Sequence, residues 1–227
     1  MTSQDFIIIA IDGGAASGKS TTARALSEKY KLLHVDTGSH YRALTQALLN
    51  AGLESASESQ VQNYLSKLNL DVDIEKRTAH IVLNDKRLNY SELRSPKINE
   101  TVSYFAAMPS VRSYLLNYQR NQAHIAKEHN FSGLIMEGRD IGSVIFPSAT
   151  LRLFFYADEA TRASRRQKDG EQDAIAQRDK LDSQRKAAPL TCPEGAIQVD
   201  TSSKSIDEVI QAMSILIEDA LKNAVHP

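Results

Sequence analysis

The stretch Phe6-Ile-Ile-Ile-Ala-Ile11-Asp12-Gly13-Gly14-Ala15-Ala16-Ser17-Gly18-Lys19-Ser20-Thr21 decides the fold. Its first six residues are an unbroken apolar run, the pattern of a short strand buried on both faces of a parallel sheet. Glycines follow at once, and the residues from Lys19 to about Tyr30 read as a helix. Gly13 to Ser20 match Gly-x-x-x-x-Gly-Lys-Ser directly after a strand and at the mouth of a helix, the context that gives the pattern its meaning. Such a loop turns its backbone N–H groups inward around phosphate oxygens, and the helix N-terminus adds partial positive charge. Lys19 is placed to reach the β- and γ-phosphates of a nucleoside triphosphate, and Ser20 to ligate Mg²⁺.

Further along, Leu32 to Val35 reads as a second strand ending at Asp36, and Tyr41 to Asn50 as a helix closed by Gly52. Strand, turn, helix and strand in this order form a βαβ unit, so the sheet is expected to be parallel. The middle differs. Leu70–Ile74, Ala79–Leu83 and Lys86–Leu88 read as short strands, with a turn at Asn84-Asp85, and predict a small antiparallel insert. Ser95-Pro96 starts one helical stretch, and Pro109 starts another that runs to about His129. The parallel pattern returns at Gly133–Met136, a strand ending in Glu137, and again at Leu151–Tyr156. Residues 158–186 are polar and charged; Gln198–Asp200 reads as a last strand and Ile206–Leu221 as a closing helix. The expected class is α/β, with a P-loop NTPase-type parallel sheet flanked by helices.

Composition narrows the partners. The chain has 227 residues, 27 Lys and Arg against 28 Asp and Glu, and a formal charge of −1, without the basic excess of a nucleic-acid binder. Its single cysteine, Cys192, can form no internal disulfide and fits a reducing compartment. The apolar run that ends at Asp12 is too short for an export signal or a membrane span, so a cytoplasmic protein without membrane contact is expected.

The acceptor of the phosphate must be read elsewhere. Asn-Lys-x-Asp and Asp-x-x-Gly, the strings of a GTPase switch, do not occur. An alcohol acceptor calls for a carboxylate base, whereas a phosphate acceptor is already ionised and calls for cations. Arg42 and Arg139 follow strand ends, and Arg162, Arg165, Arg166, Arg178 and Arg185 crowd the polar segment. Arginine binds phosphate in a bidentate fork and never deprotonates, so these residues point to a phosphate acceptor. Glu137, at a strand end, could steady the waters of Mg²⁺, with Asp12 as the alternative carboxylate. His40 reads as a surface-loop residue, and Tyr104, Tyr114 and Tyr118 as helix-packing residues.

Four motifs are recognisable. Asp36-Thr-Gly-Ser-His-Tyr41-Arg42 resembles the Asp-[Ser/Thr]-Gly-x-x-Tyr-Arg motif of bacterial cytidylate kinases. Glu137-Gly-Arg139-Asp140-Ile-Gly142 followed by Phe146-Pro147, then Arg178-Asp179-x-x-Asp182-x-x-Arg185 with Ala188-Pro189-Leu190, and finally Asp200-Thr-Ser-x-x-Ser205-Ile206 are similar to that family's other signatures, in family order. The resemblance spans nearly the whole chain. It implies a core of about residues 1–37, 100–158 and 187–227, a monophosphate-binding insert of about 38–99 and a lid of about 159–186.

It also implies transfer of the ATP γ-phosphate, with Mg²⁺, to CMP or dCMP. Gly13, Gly14, Ala15, Ala16, Ser17, Gly18, Lys19, Ser20 and Thr21 would hold ATP. Thr37, Tyr41, Arg42, Ser103, Arg112, Arg139, Asp140, Arg178, Asp182 and Arg185 would contact the monophosphate. Lys19, Arg139, Arg178 and Arg185 would be catalytic, with Ser20 and, through water, Glu137 on the metal. The small-molecule partners are ATP and CMP or dCMP, and a monomer is expected. The chain departs from the family at Gly14-Ala15-Ala16-Ser17, where a Pro and another Gly are more frequent, and in a lid shortened between Arg166 and Arg178. Another P-loop nucleoside-monophosphate or small-metabolite kinase is the alternative enzyme. A nucleotide-dependent regulatory protein is the non-enzymatic one.

Overall fold

The computed structural model describes residues 6–168 and 175–225, and the side chains of all of these except 168, 175–178 and 223–225. The apolar runs become the strands β1 (Ile7–Gly13), β2 (Leu32–Asp36), β3 (Leu70–Glu75), β4 (Thr78–Leu83), β5 (Lys86–Arg87), β6 (Gly133–Gly138), β7 (Leu151–Tyr156) and β8 (Ile197–Asp200). They form one sheet in the order β3-β4-β2-β6-β1-β7-β8, with β5 on β4. Strands β2, β6, β1, β7 and β8 are mutually parallel, as the βαβ reading requires. The middle strands are antiparallel to one another, but β4 also pairs in parallel with β2, His34 opposite Thr78 and Val35 opposite Ala79. The expected insert is thus an extension of the central sheet rather than a sheet of its own.

Alternation along the strands sends side chains to two cores. Ile7, Ile9, Ile11, Leu32, Ile135 and Phe155 face α1 (Lys19–Tyr30) and the last helix (Ile206–Val225), meeting Leu26, Met213 and Ile217. Ala10, Leu33, Val35, Leu134 and Met136 face the opposite way, toward Ala126 of the long helix Pro109–Glu128. Burying each such aliphatic side chain stabilises by about 1.5–3 kcal/mol. Gly13 closes β1 with φ 149°, and a Cβ there would lie 2.0 Å from the Phe155 carbonyl oxygen, so only glycine lets β1 run this close to β7.

Between β2 and β6 in the chain lie α2 (Thr37–Asn50), α3 (Glu58–Leu65), α4 (Pro96–Ala106) and α5 (Pro109–Glu128). Helix α2 begins four residues before the expected Tyr41, because Asp36 is its N-cap and its Oδ1 accepts from the Gly38 N–H at 2.9 Å. Helix α3 lies in a stretch with no expected element; a capping box of Ser57 and Gln60 starts it. The remaining helices are α6 (Glu159–Lys168), α7 (Ile175–Gln184) and α8 (Ile206–Val225). No helix among the described residues is long and apolar enough to cross a membrane.

The early start of α2 overturns the expectation for His40. It is 1% exposed, with its ring edge-on to Tyr118 at 5.0 Å. Tyr114 and Tyr118 pack on the helical core as expected, whereas Tyr104 is 51% exposed because it points off the outer face of α4. Burial pushes the His40 pKa down from 6.5 to about 4, so the native chain keeps this ring neutral while the unfolded chain protonates it. The unfolded state therefore binds more protons between these values, and stability from His40 is present above pH 6.5 and lost as pH falls toward 4. Urea denaturation should show His40→Phe, which keeps the ring against Tyr118, losing about 2 kcal/mol less than the parent between about pH 7 and about pH 5. Identical losses would contradict the assignment.

Candidate active site

The carboxyl ends of β1, β2 and β6 meet in register: Ile11 and Asp36 both lie opposite Glu137, and Asp12 opposite Gly138. At this edge of the sheet opens a cleft of about 600 Å³. Ligands of open α/β sheets bind at such a place. The loop from Gly14 to Gly18 curls over it, and Gly18, the N-cap of α1, has φ 90°. Lys19 is buried; its Nζ donates to the Gly14 carbonyl at 2.6 Å and to Ser17 Oγ at 3.3 Å. Burial, and then the nearby Arg139 charge, push its pKa down to about 7.

Behind the loop, Ser20 Oγ donates to Glu137 Oε2 at 2.7 Å, and His34 Nε2 lies 2.9 Å from Glu137 Oε1. The Thr37 hydroxyl donates to the Glu137 carbonyl at 2.8 Å. Two hard oxygen groups at the phosphate loop suit Mg²⁺, which is held by few protein ligands plus substrate phosphates. Among the described residues no group of three or more His, Cys, Asp or Glu could hold a metal unaided. Asp12, the alternative metal carboxylate, does not fill that role. Its two oxygens accept from the N–H groups of Ile141 and Gly142, each at 2.7 Å, and burial raises its pKa to about 6. It ties β1 to the turn that carries Arg139 and Asp140.

The same cleft is lined by Thr37, Tyr41, Arg42, Ser103, Arg139, Asp140, Asp182 and Arg185, together with Ala15 to Thr21 and Glu137. Asp140 is buried and bonded to Arg112, whose guanidinium also donates to the Ala106 carbonyl and lies over the Tyr41 ring. Burial raises the pKa of Asp140, and Arg112 works against that rise. Asp182 gathers Arg139 Nε at 3.1 Å, Ser103 Oγ at 3.2 Å and Arg185 at 3.8 Å. Arg178 belongs to α7, but its side chain lies outside the described residues.

Several site residues have partners that the sequence does not announce. Asn99 accepts from Arg42 at 2.5 Å and donates to the Arg94 carbonyl at 3.0 Å, fixing the guanidinium. Asp179, quoted above only as part of a motif, accepts from the Ala15 N–H at 3.0 Å and pairs with Arg162. A carboxylate oxygen thus takes one of the loop's amides. Arg165 donates to Thr201 and to the Ala16 carbonyl. Burial singles out Asn99, but burial is not written in a motif.

A phosphate loop, a carboxylate–hydroxyl pair behind it and an arginine-rich second half of one cleft define a P-loop kinase of small phosphorylated acceptors. A family model described as cytidylate kinase matches residues 9–219. The chain belongs to the cytidylate kinase family. It is 35% identical over 222 residues to a protein of Limosilactobacillus reuteri named cytidylate kinase, covering 92% of this chain and 94% of that one. It is also 36% identical over 225 residues to the cytidylate kinase of Fusobacterium nucleatum, covering 94% and 98%.

Ala16 has φ 56°, in the left-handed region that favours glycine. A Cβ there costs about 1 kcal/mol. Ala16→Gly should raise the unfolding free energy by up to about 1 kcal/mol in urea titrations, and a less stable variant would contradict this strain.

Proposed function

We propose that the chain transfers the γ-phosphoryl group of ATP to CMP or dCMP, giving ADP and CDP or dCDP. The observation that carries this reading is buried Asp140, which lines the same cleft as the phosphate loop and pairs with Arg112 behind it. Cytosine presents one amino donor beside ring acceptors. Asp140 accepts from the amino group, and Ser103 and Arg112 donate to the acceptors. Uracil would set a carbonyl oxygen against the Asp140 carboxylate, and a site built on such pairs rejects the wrong partner because buried groups are left unpaired.

The chemistry needs no base. An oxygen of the CMP phosphate, already ionised, attacks the γ-phosphorus; the new P–O bond forms as the bond to the β-phosphate oxygen breaks, and ADP leaves with that electron pair. The residues position and neutralise. Arg42 and Arg139 hold the acceptor phosphate, with Asn99 keeping the Arg42 fork in place. Lys19, Arg178 and Arg185 draw charge from the transferring group. Ser20 and, through water, Glu137 would hold Mg²⁺, which would supply charge neutralisation to the phosphates. The insert, about residues 38–99, and the lid, about 159–186, of which 169–174 lie outside the described residues, would exclude water from the two substrates.

Lys19→Ala should lower kcat by about three orders of magnitude in a coupled ADP assay; a rate near that of the parent would remove Lys19 from the transfer. Asp140→Ala should lower the CMP-to-UMP ratio of kcat/KM about tenfold or more. An unchanged ratio would show that Asp140 does not read the base.

A further inference from the structure

Strand β2 carries apolar side chains at Leu32, Leu33 and Val35, yet between them stands His34, fully buried at 0% exposure. An apolar side chain would pack there without the desolvation cost of an imidazole. His34 makes its one recorded side-chain hydrogen bond through Nε2, to Glu137 Oε1 at 2.9 Å, and its Nδ1 has no partner among the described residues. The other Glu137 oxygen takes the Ser20 hydroxyl at 2.7 Å. The three groups form a chain from the middle of the sheet to the first turn of α1. It follows from geometry: His34 is opposite Ile135, two residues before Glu137, so both project to the α1 face. A carboxylate oxygen accepts, so in this pair Nε2 is the donor.

We propose that His34 is a positioning residue for the catalytic cation. Its Nε2–H holds Oε1 of Glu137, so the carboxylate cannot rotate, and Oε2 with the Ser20 hydroxyl is presented as a fixed oxygen pair. The inference rests on the placement of Mg²⁺ at Ser20 and Glu137 proposed above. Hydrogen bonds that orient a ligating carboxylate are worth about 10–100-fold in metal affinity. His34 is fully buried and does not line the cleft, so its contribution falls on the metal and not on the choice of base.

The test is Mn²⁺ binding to the full chain with ADP, with free Mn²⁺ read by electron paramagnetic resonance. His34→Phe, which keeps ring volume without the donor, should raise the Mn²⁺ Kd about tenfold. His34→Gln, whose amide can still donate to Glu137, should return it to within about threefold of the parent. The CMP-to-UMP ratio of kcat/KM should stay at the parent value in both. Parental Mn²⁺ affinity in His34→Phe, with affinity weakened in Ser20→Ala, would overturn the role of His34 and leave the metal placement standing. Parental affinity in both would overturn the placement itself. Should His34→Phe not fold, the imidazole ¹⁵N spectrum of the parent decides: a protonated Nε2 whose resonance moves when Mg²⁺ is added to the ADP complex supports the proposal, and one that does not move overturns it.

Discussion

The parallel register of β6 between β1 and β2 is the constraint on which the site depends. It sets Asp36 and Ile11 opposite Glu137, and Asp12 opposite Gly138. Side chains alternate faces with a period of two, so a slip of one residue would turn Glu137 from Ser20 toward the opposite core. The same register aligns the phosphate loop after β1, the helix cap after β2 and the Arg139–Asp140 turn after β6 along one edge. Each of these segments is irregular, and each leaves a strand held on both sides.

Charge at this edge is balanced locally. Buried carboxylates are costly unless paired or hydrogen-bonded. Asp12 is met by two N–H groups, Asp140 by Arg112, Glu137 by His34 and Ser20, and Asp182 by Arg139, Ser103 and Arg185. Two carboxylates serve the architecture: Asp12 locks the loop-bearing strand to the turn of Arg139 and Asp140, and Asp36 starts the helix that carries Tyr41 and Arg42. A site made this way is assembled before substrates arrive, which is what charge stabilisation of a transferring phosphoryl group requires.

The parts legible in the sequence were those whose physics is local. The apolar run, the glycine spacing and the lysine after it specify β1, the loop and α1 within fifteen residues or so. The strand-end carboxylates and arginines were legible as groups; Asp36, Arg42, Glu137, Arg139, Arg165, Arg166 and Arg185 line the cleft, whereas Asp12, Arg112 and Arg162 do not and the Arg178 side chain is outside the described residues. What escaped depends on distant partners. Asp36 read as a strand end, although its cap on Gly38 lengthens α2 and buries His40. Strand β4 looked like part of a separate hairpin because nothing in residues 78–83 announces pairing with β2. Asn99 and His34 are single polar residues in apolar or helical stretches, and only their burial against Arg42 and Glu137 gives them meaning.

The most direct measurement is the initial rate of ADP formation from ATP and Mg²⁺ with CMP, dCMP, UMP, AMP, GMP or shikimate as acceptor, against a blank without acceptor. Fast turnover with CMP and dCMP, slower turnover with UMP and little with the purines or shikimate is the expected result. Turnover that favours another acceptor over CMP, or ATP binding without any acceptor-dependent turnover, would contradict a cleft in which Asp140 and the arginines select a cytosine monophosphate.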